Sequence, residues 1–322
     1  MRRRDVLAAL GAATAIWPAM TQAQRTTVPL IAYLDSSGVK PWYEAFRQGL
    51  SDLGYSDGQS IAIEHRSADG QADRLPALAA ELLSLKPKVI VTSGSPAAIA
   101  ARNATETIPI VFTFATDPIG IGLIKSLAHP GGNVTGQSNQ SPGLVGKRLQ
   151  ILAELVPGSS NFGIVWSPSF LANHADYAEM KQAAATLNLT LTSLEVVRPA
   201  DFDNAFKEAA TRTSGVAVLS GPLIFARREA VVAAAARHRV PAIYYDAEYA
   251  QSGGLAAYGP SLVGLHRRAA VFVDRILKGE KPADLPVEQP TRFSLVMNAK
   301  AARALGFTFP PALLVRADEV IE

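Results

Sequence analysis

The sequence predicts an α/β protein with two Rossmann-like lobes, each built on a parallel sheet and joined to the other by hinge crossings. Strand-length apolar runs alternate with helical patterns along almost the whole chain. Two of these runs, residues 89–91 and 108–114, are predominantly apolar, as in strands buried on both faces. The same order of elements restarts after Pro157, and 322 residues exceed one typical core.

In the first half, apolar spacing defines the helices between the strands. Phe46, Leu50 and Leu53 predict a helix over residues 41–53, and four leucines share one face of a second helix over 73–85. Strands are predicted over residues 28–34, 60–66, 89–91, 108–114 and 134–138, with a further helix over 118–127.

The second half repeats this architecture without repeating the sequence. Strands are predicted over residues 162–166, 190–197, 216–219, 242–245 and 255–258, and helices over 143–156, 173–187, 200–211, 226–239 and 262–278. A segment of period two over 285–297, a helix over 299–305 and a tail complete the chain. We expect this tail to cross back and pack on the first lobe.

These patterns give the domain boundaries. An N-terminal lobe is predicted over residues 28–140 together with 285–322, and a C-terminal lobe over 158–255. Residues 141–157 and 256–284 are predicted to form the crossing helices and linkers. Such lobes would enclose a cleft at the carboxyl ends of both sheets.

Helix-start signals follow the two central strands of the first half. Ser95-Pro96 and Asp117-Pro118 each place an N-capping residue before a proline, which favours the first helical position. Two helix N-termini at one sheet edge would direct free N–H groups at a bound molecule. We therefore expect an acceptor-rich small molecule there, such as a carboxylate.

Residues 1–23 resemble an export signal. The basic MRRR start precedes an apolar stretch over residues 6–16, and Thr21-Gln22-Ala23 forms a small-x-small cleavage site before Gln24. The apolar stretch is shorter than the ~20 residues that cross a bilayer. Arg3-Arg4 also fits a twin-arginine signal, so the general and twin-arginine routes both remain open. We expect the mature protein to be periplasmic and not inserted in the membrane.

Composition excludes several functional classes. Without residues 1–23, 28 basic and 27 acidic side chains remain, so no electrostatic footprint for nucleic acid is left. The chain has no cysteine to carry a lipid anchor or act as a nucleophile. The five histidines show no metal-site spacing, so we expect neither a metal nor a cofactor.

Two nominal enzyme motifs occur in the wrong context. Residues 54–58 match GxSxG, but a helix precedes them and a strand follows, which reverses the order of a nucleophile elbow. Gly120 and Gly122 follow a strand, but Lys125 stands where the third glycine of a dinucleotide fingerprint belongs. We therefore expect no enzymatic activity.

Several segments resemble one protein family. The runs AFRQGLSDLGY, SPAAIAAR, IPIVF, DPIG, GLIKSLAHPGGNVTG and ALGFTFPPALLVRADEVIE are similar to those of ABC transporter substrate-binding proteins of the TrpX-like group. The resemblance implies a type 1 periplasmic binding protein fold with three hinge crossings. It implies a monomer that closes on an amino acid-like solute, aromatic in the better-understood relatives, and delivers it to an ABC permease in the inner membrane.

The resemblance also implies which residues face the ligand. Ser95 and Thr116 would hold a carboxylate, and Asp246 or Glu248 an ammonium group. Four aromatic residues near the predicted rim could stack on a ring or a cation, namely Trp42, Tyr43, Trp166 and Tyr245. The full predicted set is Ser36, Ser37, Ser93, Gly94, Ser95, Pro96, Ala115, Thr116, Asp117, Trp166, Ser167, Gly221, Pro222, Tyr245, Asp246 and Glu248.

Other roles remain open for these residues. Ser95 and Asp117 could be helix caps only, Trp166 could belong to the core, and Asp246 could pair with Arg227 or Arg228. The alternatives for the whole protein are a ligand-sensing subunit of a signalling system and an exported α/β hydrolase.

Overall fold

The computed structural model describes residues 28–139 and 143–322, and the predicted export signal lies outside them. Two sheets organise the chain, one of five strands and one of seven. In the described part of the chain, no helix is both long and apolar enough to cross a bilayer.

The first lobe is a parallel sheet in the order β2-β1-β3-β4-β5. The two central strands β3 and β4 are buried at every position, as their apolar runs predicted. The strands are β1 (Leu30–Asp35), β2 (Ala62–Ser67), β3 (Val89–Ser93), β4 (Ile110–Ala115) and β5 (Val134–Ser138), with helices α1 (Lys40–Asp52), α2 (Leu75–Ser84) and α3 (Ser95–Ala104).

The predicted helix over residues 118–127 does not form. This segment is a series of turns, in which Asp117 and Gly122 both have positive φ angles. The Asp117 carboxylate accepts a hydrogen bond from the Gly120 backbone N–H at 2.9 Å and so closes a local turn. Only one of the two expected helix N-termini therefore exists, at Ser95.

The second lobe begins with the helix that follows β5. Its elements are α4 (Leu144–Leu155), β6 (Asn161–Trp166), α5 (Ala172–Thr186), β7 (Thr190–Glu195), α6 (Asp201–Arg212), β8 (Val216–Val218), α7 (Pro222–Ala226), α8 (Arg228–Arg237), β9 (Ala242–Tyr244), α9 (Ala247–Gln251) and β10 (Ala256–Gly259). The predicted helix over 226–239 is α8, and the short helix α7, which ends one residue before Arg227, was not predicted.

The helix α10 (Leu262–Leu277) returns to the first lobe, where it packs against α1 and β4. The following residues to Glu288 stay there, since the Glu288 backbone bonds to Gly136 and Ser138 of β5. The chain then crosses again to form β11 (Ser294–Asn298), α11 (Ala299–Ala304), α12 (Pro311–Leu314) and β12 (Glu319–Ile321). Three crossings therefore join the lobes, one between β5 and α4, one between β10 and α10, and one between Glu288 and β11.

The assignment of residues 285–322 to the N-terminal lobe is wrong beyond the third crossing. Strand β11 pairs antiparallel with β10, and β12 pairs parallel with β11, which extends the second sheet to the order β12-β11-β10-β9-β8-β6-β7. Leu295 and Met297 are buried in the second-lobe core. The tail therefore completes a sheet whose edge at β10 would otherwise be open.

Candidate functional site

An apolar cavity lies between the lobes, at the carboxyl ends of their strands, and is nearly closed, with a volume of about 10 Å³. Three phenyl rings line it, Phe114 from β4, Phe170 from the loop after β6 and Phe225 from α7. The other lining residues are Ser36, Ser37, Gly94, Ser95, Pro96, Thr116, Ser220, Gly221 and Pro222. The surface offers flat apolar contact with a rim of hydroxyl groups.

A polar cavity, also closed down to about 10 Å³, adjoins it, because Thr116 and Ser220 line both. Its remaining lining residues are Asn139, Leu144, Val145, Arg148, Asp176, Glu179 and Tyr245. A buried cation and two carboxyl groups therefore lie at the end opposite the phenyl rings. The linings of the two cavities together suit a solute with an apolar body and a charged end, and the lobes must open to admit one.

Arg148 is the most unusual residue of the polar cavity. It lies on the inward face of α4, is 3% exposed, and its guanidinium lies over the Tyr245 ring at 4.8 Å. Its Nε atom has no hydrogen-bond acceptor among the residues that the structure describes. Burial lowers the pKa of the guanidinium, but arginine stays protonated at any physiological pH.

Asp176 supplies negative charge on α5. Burial raises its carboxyl pKa to about 6, although the Arg148 charge acts in the opposite direction. The Tyr245 hydroxyl and the Asn139 amide lie close to each other but form no hydrogen bond of good geometry. The polar cavity thus contains charged and polar groups whose bonding capacity the described residues do not use.

The hydroxyl groups of Ser95 and Thr116 at the first-lobe edge already form hydrogen bonds within that lobe. Ser95 Oγ accepts a hydrogen bond from the Thr116 backbone N–H at 3.0 Å. Thr116 Oγ1 donates to Asn139 Oδ1 at 3.1 Å. This chain of bonds ties together the ends of β3, β4 and β5.

Close backbone approach explains one glycine at this edge. Gly94 precedes α3 with a φ of +90°, and a Cβ atom there would lie 2.4 Å from Ser36 Oγ. Ser36 in turn donates to the Ser93 carbonyl at 2.6 Å. Only glycine combines this backbone conformation with that contact.

Comparison with known proteins identifies the family. The profile described as "ABC transporter substrate binding protein" matches residues 27–321. The chain belongs to this family. The fold and the family predicted from the sequence motifs are therefore confirmed.

Three similar proteins illustrate the range of this substrate-binding family. A "Tyrosine-binding protein" of Clostridioides difficile is 27% identical over 262 residues, which cover 81% of this chain and 75% of that protein. A structure of an "ABC domain in complex with L-Trp" from Streptococcus pneumonia is 26% identical. Its TM-score is 0.85, over 91% of this chain and 100% of that one. A conserved domain protein of Vibrio cholerae is 30% identical, with a TM-score of 0.84 over 91% and 99% of the two chains.

The structure brings nine of the predicted site residues to the cavities of this substrate-binding protein. They are Ser36, Ser37, Gly94, Ser95, Pro96, Thr116, Gly221, Pro222 and Tyr245. Each comes directly after a strand, where parallel sheets place their binding residues. Which of them contact a ligand stays a prediction.

In the first lobe, three predicted residues do not line either cavity. Ser93 is buried beneath the apolar cavity, and its hydroxyl oxygen lies 3.2 Å from His266 Nε2. Ala115 belongs to the first-lobe core. Asp117 is held in the turn with Gly120, because the helix that it was expected to cap is absent.

In the second lobe, four predicted residues also line neither cavity. Trp166 is a core residue that stacks on Tyr177 at 4.6 Å and donates its indole N–H to Ser193. The Ser167 N–H donates to Asn173, which fixes the loop after β6. Asp246 caps α9 by accepting from the Glu248 N–H at 2.9 Å, and Glu248 binds Trp42 and Arg228.

Sequence reasoning missed the residues that give the site its character. These are Phe114, Asn139, Arg148, Phe170, Asp176, Glu179, Ser220 and Phe225. A usable signal existed for two of them. Arg148 shares the buried face of α4 with Leu144 and Leu152, and Asp176 shares that of α5 with Met180. A charged residue at an apolar position of a helix indicates a buried polar site.

Proposed function

We propose that this chain is the solute-binding component of an ABC importer and that it takes an amino acid with an aromatic side chain. The observation that carries the proposal is the pair of adjoining interlobe cavities, with three phenyl rings at one end and a buried cation and carboxyl groups at the other. An aromatic ring fits the first surface by edge and face contacts. A zwitterionic backbone fits the second.

The relatives support the same class of solute. One is described as a tyrosine-binding protein, and another was solved with L-tryptophan. The similarity to both proteins extends over most of this chain. The proposed solute class therefore agrees with the chemistry of the cavities and with the family.

Closure of the lobes provides the mechanism. Each cavity draws residues from both lobes, so a solute that contacts both stabilises the closed arrangement. The three crossings allow the lobes to rotate as rigid units. We propose that the closed monomer is the form recognised by the permease, in the periplasm, and that it releases the solute unchanged.

A binding screen tests this proposal. The protein is unfolded, dialysed and refolded to remove any retained solute, and its thermal unfolding is followed with L-tryptophan, L-tyrosine and L-phenylalanine. A solute at 100 times its dissociation constant stabilises the folded state by about 2.7 kcal/mol. L-Alanine, ribose and a nucleoside serve as comparison solutes of other classes.

The expected result is stabilisation by at least one aromatic amino acid and recovery of that solute unaltered after prolonged incubation. Stabilisation by ribose or the nucleoside alone would contradict the proposed solute class. Conversion of the solute to a product would instead revive the hydrolase alternative.

A further inference from the structure

Arg148 is a buried cation without an ionic partner. No Asp or Glu of the described residues forms an ion pair with it, and its Nε atom has no acceptor. A buried charge is normally paired, because its removal from water costs several kcal/mol. Asp176 and Glu179 act on it only at longer range. The charge of Arg148 would be balanced by an anionic group bound in the polar cavity.

The position that sequence reasoning assigned to a carboxylate is already occupied by internal bonds. The Thr116 N–H, which would face the solute at the first-lobe edge, donates to Ser95 Oγ at 3.0 Å. Thr116 Oγ1 donates to Asn139 at 3.1 Å. The second helix N-terminus expected after Asp117 is a turn. The donors left at this edge are the Ser95 hydroxyl and the first N–H groups of α3, none of which carries a formal charge.

Arg148 is held in a defined orientation. Its guanidinium lies over the Tyr245 ring at 4.8 Å, and α4 packs against α5 and the second-lobe sheet. A guanidinium held in this way presents a planar set of N–H donors, which matches the two oxygens of a carboxylate. The site is therefore preorganised on a helix of the second lobe.

We infer that Arg148 is the receptor for the solute carboxylate, which places that group on α4 of the second lobe and not on the helix N-termini of the first. This assignment rests on the proposed function and specifies how the solute lies. The carboxylate contacts Arg148, and the apolar body extends toward Phe114, Phe170 and Phe225. Asp176 is left to face the ammonium group.

The test compares three probes on the unsubstituted protein and on Arg148→Gln by calorimetry. L-Tryptophan has both charged groups, tryptamine lacks the carboxylate, and 3-indolepropionate lacks the ammonium. We expect the unsubstituted protein to bind L-tryptophan at least 30-fold more tightly than tryptamine, the scale for a buried charge pair that loses one partner.

In Arg148→Gln, this preference is expected to shrink to a few-fold. L-Tryptophan and 3-indolepropionate lose affinity, whereas tryptamine holds or gains affinity because a repelling cation is gone. A role of Arg148 in folding alone would weaken all three probes alike. Arg148→Lys keeps the charge but not the planar donors, and we expect intermediate affinity for L-tryptophan.

Lys147→Gln provides the matched control, since Lys147 is the adjacent cation of α4 and bonds Gln150 away from the cavity. It is expected to leave all three affinities unchanged. Equal binding of tryptamine and L-tryptophan by the unsubstituted protein would overturn the Arg148 assignment and leave the proposed function standing. Failure of that protein to bind any aromatic amino acid would overturn the proposed function itself.

Discussion

The Trp42 indole N–H donates a hydrogen bond of 2.6 Å to Glu248 Oε1, and the two residues belong to different lobes. Arg228 holds the other carboxylate oxygen at 2.7 Å. Trp42 is 1% exposed and contacts Phe225 of the second lobe edge to face, at 4.8 Å. This buried bond therefore links the lobes beside the apolar cavity without contributing to its lining.

Trp42→Phe removes the indole donor and leaves the Glu248 carboxylate with one partner fewer. A hydrogen bond to a charged group is worth about 1.5–3 kcal/mol, so we expect solute affinity to fall roughly 10- to 100-fold as the closed form loses stability. Calorimetry gives the affinity, and small-angle scattering of the solute-bound protein shows whether the lobes stay closed.

Trp166→Phe is the control for this change. It also removes an indole donor, but that donor binds Ser193 within the second lobe. Affinity should then change less than twofold. Equal losses in the two variants would show that the Trp42 bond has no special role in closure.

Much of the fold could be predicted from sequence because its signals are local. The buried runs of β3 and β4 and the leucine spacing of α2 are set by neighbouring residues. The place of β11 could not be predicted in this way. Its period-two pattern fits the edge of either sheet, and the choice depends on contacts with β10, which is distant in sequence.

The site was predictable in position but not in chemistry. Residues after strands, such as Ser95 and Gly221, were found because strand ends meet at one edge. Arg148 and Asp176 come from helix faces, and only the packing of α4 against α5 brings them to the cavity. Asp246 was assigned to the solute from the family resemblance, and its role as the cap of α9 depends on a helix of only five residues that the sequence pattern did not predict.

Phe170→Ala tests the apolar end of the site. Phe170 is half-buried in the cavity wall and is not part of the central core, so its removal should spare the fold. Loss of one ring contact worth about 2 kcal/mol would weaken an aromatic solute roughly 30-fold. Leu171→Ala, at the adjacent residue that is 64% exposed, should have no effect on the measured dissociation constant. Similar constants for both variants would place the solute elsewhere.

Asp246→Asn tests a pH effect on stability. Burial, followed by the charge of Glu248, raises the pKa of Asp246 from 3.8 to about 7. Because the folded protein holds this proton more tightly than the unfolded chain, the contribution of Asp246 to stability is lost as pH rises through 7. Asparagine caps a helix as well as aspartate does and carries no charge.

The free energy of unfolding from urea titrations between pH 4.5 and 8 measures this effect. We expect the unsubstituted protein to lose more stability across this range than Asp246→Asn, by on the order of 1–3 kcal/mol. Asp35 and Asp176, whose pKa values burial raises to about 6, contribute equally to both proteins. Parallel curves would show that Asp246 titrates normally.

Gly49→Ala tests the contact between α1 and α10. A Cβ atom at Gly49 would lie 2.3 Å from the Arg267 carbonyl oxygen, so the helices must separate to admit it. We expect a loss of about 1–3 kcal/mol in unfolding free energy, measured by urea titration. Gly146→Ala, on α4, meets only the Ala183 methyl group at 3.1 Å and gains helix propensity. A loss in Gly146→Ala as large as that in Gly49→Ala would contradict the packing explanation.

The titration of the Asp176 carboxyl group should make solute affinity depend on pH. Burial raises its carboxyl pKa to about 6 against the opposing charge of Arg148, so the group is partly protonated in mildly acidic solution. An ammonium group on the solute favours the ionised carboxylate, and binding must then expel this proton. Affinity for L-tryptophan should therefore fall by up to about tenfold for each pH unit below 6 and level off above 7.

Calorimetry between pH 4.5 and 8 measures this dependence, and two comparisons isolate its cause. Asp176→Asn has no ionisable group at this position, so its weaker affinity should stay constant over the same range. The affinity of the unsubstituted protein for 3-indolepropionate, which has no ammonium group, should not fall on acidification down to pH 5. If L-tryptophan binding by Asp176→Asn kept the full pH dependence, the proton would have to reside on another group, and the ammonium contact would have to be sought outside α5.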